Sequence, residues 1–166
     1  MHADCIGIEL PLSNYRLLQG ISSLRGELET EPAQVEKVSV KLSVLVAEDN
    51  QVNQMVVRGL LNQIGIVPVF ASDGREAVER ICNGQQSFDL ILMDCEMPEM
   101  DGFEATQKIR AWERLNQRNP IPIIALTAHI LPEYTQKTTQ VGMNGHLSKP
   151  VDKLALTALL QRYAQA

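Results

Sequence analysis

Aromatic side chains make up only 4% of this 166-residue chain, a scarcity that excludes base-stacking surfaces of the kind that hold single-stranded nucleic acid. A cationic surface is lacking as well. With 15 Lys and Arg against 20 Asp and Glu the net charge is −5, and no basic cluster stands out along the sequence. Direct nucleic-acid binding and docking on anionic membranes both rely on such clusters, so neither is expected. Cys5, Cys82 and Cys95 are odd in number and show no CxxC spacing, which argues for a reducing compartment and against a disulfide scaffold or a zinc site. No apolar run approaches the roughly 20 residues of a membrane helix, and the amino terminus lacks the basic region and long apolar core of a signal peptide. The expectation is a cytoplasmic chain with no direct membrane contact, with anchoring of a larger parent in the inner membrane left open.

What is present is a regular alternation. From Ser43 onward, β-rich runs at 44–47, 67–70, 88–93, 121–126 and 146–148 are separated by helical patterns at about 51–64, 74–83, 103–117, 132–141 and 152–164. Five strands alternating with helices predict an α/β fold with a doubly wound parallel sheet. The third and fourth runs, FDLILM and IPIIAL, are continuously apolar, as strands covered on both faces must be. Asp73 and Asp152 read as helix N-caps, while Gly65, Gly84 and Gly142 stand where helices should stop.

The chain changes character before Ser43. Residues 26–41 are charged, contain Pro32 and lack a clear period, so they read as a linker. Residues 1–25 read as the tail of a preceding domain: IGIELPLSNYRLLQGISSL runs as strand, Leu-Pro and amphipathic helix, the same layout as GHLSKPVDKLALTALL at 145–160. This strand-helix extension precedes a main domain over 42–166.

In a doubly wound sheet, sites form outside the carboxyl ends of the strands. The first strand ends on Glu48 and Asp49, the third on Asp94, the fourth on Thr127 and the fifth on Lys149. Singly, each has a plainer reading as a turn residue, a cap or a solvated charge. Together they put three carboxylates, a hydroxyl and an ammonium in one crevice. Clustered carboxylates repel and raise one another's pKa unless a hard cation sits among them. Mg²⁺, which takes oxygen ligands and keeps several waters, is the natural choice, and its open positions suit phosphoryl oxygens.

The pieces VLVAEDNQVNQ, LILMDCEMPEMDGFEAT, IPIIALTA and MNGHLSKPVD occur in order over residues 43–163, and they resemble the receiver domains of two-component signalling, particularly those of hybrid sensor histidine kinases. The resemblance implies a flavodoxin-like sheet of order 2-1-3-4-5. It implies Asp94 as phosphoryl acceptor, with Mg²⁺ served by Glu48, Asp49, Asp94 and the backbone carbonyl of Glu96. Thr127 and Lys149 are the implied holders of the phosphoryl group, and the Lys149–Pro150 peptide is implied to be cis. The family's switch position, usually Tyr or Phe, is His146 here, which leaves an aromatic rotation in question beside Thr127. In the preceding segment Leu10 stands where a receiver's lysine would be, which suggests a truncated pseudo-receiver; the rival is the last strand of a kinase ATP-binding domain.

The implied partners are the dimerisation and phosphotransfer helices of a histidine kinase or a histidine phosphotransfer protein. On the first helix, Val56, Val57, Leu60, Leu61 and Ile64 form an arc suited to the sheet, and Val52, Met55 and Gly59 extend it toward a flank suited to docking, with core packing the favoured account of Val52. The expected function is thus a phosphoryl-accepting receiver that signals by a conformational switch and is not itself an enzyme, in a parent that is a histidine kinase. A receiver-fold docking module that is never phosphorylated is the alternative. A dehalogenase-type phosphatase is disfavoured because Glu96, not Asp, lies two residues after Asp94.

Overall fold

The computed structural model describes residues 42–128 and 132–164. The expectations for residues 1–25 and 26–41 lie outside the described residues. Five strands, β1 (Val44–Ala47), β2 (Val69–Ala71), β3 (Leu90–Asp94), β4 (Ile123–Thr127) and β5 (Gly145–Ser148), alternate with α1 (Gln51–Gln63), α2 (Gly74–Cys82), α3 (Gly102–Leu115), α4 (Pro132–Gln140) and α5 (Lys153–Ala164). All four strand pairings are parallel and the sheet order is β2-β1-β3-β4-β5.

The apolar runs divide residue by residue between two cores, because successive side chains of a strand point to opposite faces. Leu45, Ile91, Met93, Ile123 and Ala125 pack with Ala77 and Ile81 of α2 and Phe103 and Ile109 of α3. Val44, Val46, Leu90, Leu92, Ile124 and Leu126 pack with Val57 and Leu61 of α1 and Leu156 and Leu160 of α5. Full burial of each such Leu or Ile contributes about 1.5–3 kcal/mol, so the two apolar faces are what hold the strand ends in register.

Three strands begin two residues later than the runs predict. Pro68 and Pro122 lack the N–H that a ladder requires, so pairing starts at Val69 and Ile123. At the other end β3 and β4 extend to include Asp94 and Thr127, whose backbones still pair although their side chains are polar. The predicted glycine stops hold: Gly65, Gly84 and Gly142 all have positive φ. The third helix was predicted to reach 117 but ends at Leu115. Gln117 has φ 50° and its N–H bonds to the Arg114 carbonyl, so a non-glycine residue takes the left-handed position that closes α3. Gly102 is required for a different reason. A Cβ there would lie 2.0 Å from the Asp94 carbonyl oxygen, so only glycine lets the start of α3 lie against the end of β3.

The first helix also departs from expectation. Val57 and Leu61 are buried, but Val56 is 48% exposed and belongs with Val52 (68%) and Met55 (71%) rather than with the sheet-facing arc. Core packing is therefore not the account of Val52.

The left-handed position costs an ordinary L-residue about 1 kcal/mol, and Gln117 is exposed with no side-chain hydrogen bond among the described ones. Gln117→Gly should therefore raise the unfolding free energy by a comparable amount in urea denaturation; an unchanged or lower midpoint would contradict the strain assigned to it.

Candidate functional site

The carboxyl ends of β1, β3, β4 and β5 open onto one cleft of about 180 Å³, lined by Glu48, Asp49, Asp94, Glu96, Thr127 and Lys149 together with Asn50 and Asn53. All the cation- and phosphoryl-site residues anticipated from sequence are thus brought together. His146 is elsewhere: it sits exposed on β5, paired in register with Ala125. Val52, Met55 and Gly59 lie on the exposed side of α1, outside the cleft.

Asp94 and Glu48 are the buried acids of the cleft, at 3% and 0% exposure. Lys149 Nζ joins them, 2.6 Å from Asp94 Oδ2 and 2.7 Å from Glu48 Oε2. Asp94 Oδ2 accepts a hydrogen bond from the ammonium, and Glu48 Oε2 is ion-paired to the same ammonium with no other polar partner among the described residues. Asp94 Oδ1 accepts from the Glu96 amide at 3.1 Å. Lys149 is itself positioned by its backbone, whose N–H bonds to the Thr127 carbonyl at 2.8 Å, and the Lys149–Pro150 peptide is cis. Thr127 is 4% exposed at the end of β4.

Burial pushes the Asp94 carboxyl above its ordinary value, against the lowering effect of the Lys149 and Glu96 hydrogen bonds, and the charge of Glu48 pushes the same way as burial. For Lys149, burial is the largest single influence and favours the neutral amine. The bonds and charges of Asp94 and Glu48 together outweigh it, so its pKa rises and it stays an ammonium.

Asp49, which is exposed, completes the acid cluster: one carboxylate oxygen from each of Glu48, Asp49 and Asp94 lies within 4.8 Å of the others. These are hard oxygen donors, and Glu48 Oε2 is buried with the Lys149 ammonium as its one partner among the described residues, so the residues fit a small divalent cation.

Sequence reasoning missed the residues that hold Glu48. Asn50 caps α1, accepting from the Val52 and Asn53 amides at 2.9 and 3.3 Å. Asn53 Nδ2 donates to Glu48 Oε1 at 2.8 Å, the Asn50 N–H reaches the same oxygen at 3.3 Å, and Gln54 Nε2 donates to the Glu48 carbonyl at 2.6 Å. Their positions at the cap and in the first turn of a helix that starts three residues after Glu48 were the available signal.

A doubly wound parallel sheet of this order, with acids, hydroxyl and ammonium gathered at its carboxyl edge, is the receiver fold of phosphotransfer signalling. The family model of the response regulator receiver domain matches residues 44–161, and the chain belongs to that family. Its relatives include the sensor protein GacS of Pseudomonas syringae pv. syringae, 38% identical over 120 residues, covering 72% of this chain and 13% of GacS. Another is hybrid signal transduction histidine kinase B of Dictyostelium discoideum, 44% identical over 116 residues, 65% of this chain and 6% of that one. The chain therefore spans only a small fraction of the curated relatives it matches. Among solved structures, the receiver domain of sensor histidine kinase PA1611 from Pseudomonas aeruginosa PAO1, with a magnesium ion coordinated in its active-site cleft, superposes with TM-score 0.66 at 39% identity, covering 75% of this chain and 98% of that one. The receiver domain of the Saccharomyces cerevisiae response regulator Ssk1, solved with the histidine phosphotransfer protein Ypd1, gives TM-score 0.70 at 33% identity, covering 75% and 89%. Among the described residues no helix is long and apolar enough to cross a membrane.

Cys95 follows Asp94 and is 2% exposed, and burial together with the charges of Asp94 and Glu96 pushes its thiol up to about 12. At pH 8 roughly one such thiol in ten thousand is ionised, so iodoacetamide should alkylate Cys95 at least about a hundredfold more slowly in the folded protein than in urea. Equal rates, read by mass spectrometry of the Cys95 peptide, would contradict this placement.

Proposed function

We propose that this chain takes a phosphoryl group from a phosphohistidine onto Asp94, within a hybrid sensor histidine kinase or its phosphorelay. The observation that carries the reading is the buried Asp94 carboxylate, held at 2.6 Å by an ammonium and open to a cleft that a phosphoryl group can enter. An Asp94 oxygen attacks phosphorus, the P–N bond breaks, and the imidazole leaves with the bonding pair and takes up a proton. Lys149 then pairs with a phosphoryl oxygen and Thr127 donates its hydroxyl to another. Glu48, Asp49, Asp94 and the Glu96 carbonyl would hold Mg²⁺, which would supply charge neutralisation to the transferring group. What this chain's residues do is align: in phosphoryl transfer most of the barrier is lowered by positioning and charge.

The added charge biases a rearrangement in which Thr127 is drawn toward the phosphoryl group and the surface of α4, β5 and α5 shifts, with His146 on the exposed side of that surface. Its size as a switch residue depends on an imidazole where the family usually has a phenyl or phenol. Residues 1–25 are assigned to the end of a preceding domain and 26–41 to a linker. The apolar ridge of Val52, Met55 and Val56, with Gly59 beside it, suits a helix-on-helix contact with the helices of a histidine kinase or a phosphotransfer protein. The Ssk1–Ypd1 complex supports that kind of partner for a receiver of this fold.

Phosphotransfer from a panel of purified histidine kinases and phosphotransfer proteins, with Mg²⁺, tests the reading. At least one donor should label the protein in an acid-stable, hydroxylamine-labile form. Asp94→Asn should abolish labelling, and Met55→Glu should slow it tenfold or more by analogy with buried interface anchors, which cost about 1.4 kcal/mol per decade. Labelling that survives Asp94→Asn contradicts the acceptor assignment. No labelling, together with no change in the Thr127 amide signal on adding Mg²⁺ and beryllofluoride, favours a docking module that works unphosphorylated.

A further inference from the structure

The two oxygens of Glu48 are treated differently by their surroundings. Oε1 is occupied twice, by the Asn53 side-chain amide at 2.8 Å and the Asn50 backbone N–H at 3.3 Å. Oε2 is ion-paired to Lys149 at 2.7 Å and has no other polar partner among the described residues. The backbone of Glu48 is fixed in the same way from the same turn of α1. Its N–H completes the pairing with Ala71, and its carbonyl, beyond the end of β1, accepts from Gln54 at 2.6 Å. Both Asn53 and Gln54 are half-buried, and their amides point inward while the neighbouring Val52 and Met55 point out.

We infer that Asn53 is a positioning and specificity-determining residue for the cation site: by occupying Oε1 it leaves Glu48 one oxygen to offer and so favours a small octahedral cation over a large one. The inference rests on the proposed Mg²⁺ site. The two common divalent cations ask different things of a carboxylate. Mg²⁺ demands near-octahedral geometry and takes carboxylate oxygens singly, whereas Ca²⁺ takes six to eight oxygens and readily accepts both oxygens of one carboxylate. A Glu48 free to rotate could present both oxygens to the cleft. Held by Asn53 it cannot, because turning Oε1 inward would break two hydrogen bonds to a buried group, each worth more when the acceptor is charged.

Gln54 acts on the direction of the same residue. With the carbonyl of Glu48 tied back to α1, the chain turns out of the sheet at that point and Asp49 is delivered to the cleft from its exposed rim. Asn53 thus controls how Glu48 is offered, and Gln54 controls where the pair of acids stands. Neither side chain is one of the three carboxylates of the cluster.

Calorimetric titration of the whole chain with Mg²⁺ and, separately, with Ca²⁺ tests this, alongside melting temperatures in EDTA. Asn53→Ala should weaken Mg²⁺ binding about tenfold, the usual scale for losing a group that orients a metal-binding carboxylate, while Ca²⁺ binding changes by less than about twofold or strengthens. The preference for Mg²⁺ over Ca²⁺ therefore falls by about fivefold or more, a change that simple loosening of the fold would not produce. Asn53→Gln, which retains a primary amide, should recover much of the wild-type ratio. Asn53→Leu keeps the bulk of the side chain without its amide and reads the same ratio if the alanine variant loses its fold. Mg²⁺ affinity within twofold of wild type and an unchanged ratio in the Ala and Leu variants would overturn the role given to Asn53. A wild-type chain that binds no Mg²⁺ would overturn the cation site along with it.

Discussion

One ammonium makes the site possible. Two carboxylates at 0% and 3% exposure cannot sit side by side in a folded protein on the strength of their surroundings alone, and Lys149 reaches both, at 2.7 and 2.6 Å. Burying a charge pair seldom adds net stability, because desolvation offsets the attraction. The arrangement is better understood as a loaded one: the lysine neutralises acids that would otherwise repel, and it stands where an incoming anion can take over its partnership. The apolar strands, the close contact at Gly102 and the hydrogen bonds of α1 all serve to keep these groups at that distance.

The sheet order is what converts a linear sequence into this convergence. With β1 and β3 adjacent, Glu48 and Asp94 come from neighbouring strand ends, although 46 positions separate them; β4 then brings Thr127 beside β3, and the Thr127 carbonyl takes the Lys149 amide across to the β5 end. Each strand gives its apolar residues alternately to two helix layers, which hold the ladder rigid while the polar residues are confined to its edge. The site is therefore precise at little cost to the core, since no charged group is needed between the layers at that end. At the opposite end a third buried acid, Glu113, follows the same rule: it is paired with Arg110 at 2.6 Å and accepts the Ile121 amide, tying the end of α3 to the start of β4.

Much of this was readable in the residues. The five β runs, the Asp73 cap, the glycine stops and the acids at the strand ends carry local signals, because each depends on a side chain's own conformational or chemical preference. Less legible were features decided by tertiary contact. That Val56 is exposed follows from how α1 rotates against β1, which an apolar run cannot reveal since Val56 and Val57 look alike. The end of α3 at Leu115 is not legible in the residues, since Gln117 gives no sign that it will accept a left-handed backbone. Asn53 carries no local signal of its role, which depends on where Glu48 Oε1 stands in the folded chain. His146 was legible as a departure from its family, and its exposure on β5 was visible only in the folded chain.

The central claim is that Lys149 and the buried acids form one energetic unit. A double-mutant cycle of Lys149→Met and Asp94→Asn, followed by urea denaturation at pH 7 without divalent cations, measures it directly. Removing the lysine alone should be strongly destabilising because it leaves two buried acids uncompensated, and removing the Asp94 charge as well should relieve much of that loss. The account predicts a coupling energy of about 1–3 kcal/mol between the two sites; additivity within about 0.5 kcal/mol would contradict it.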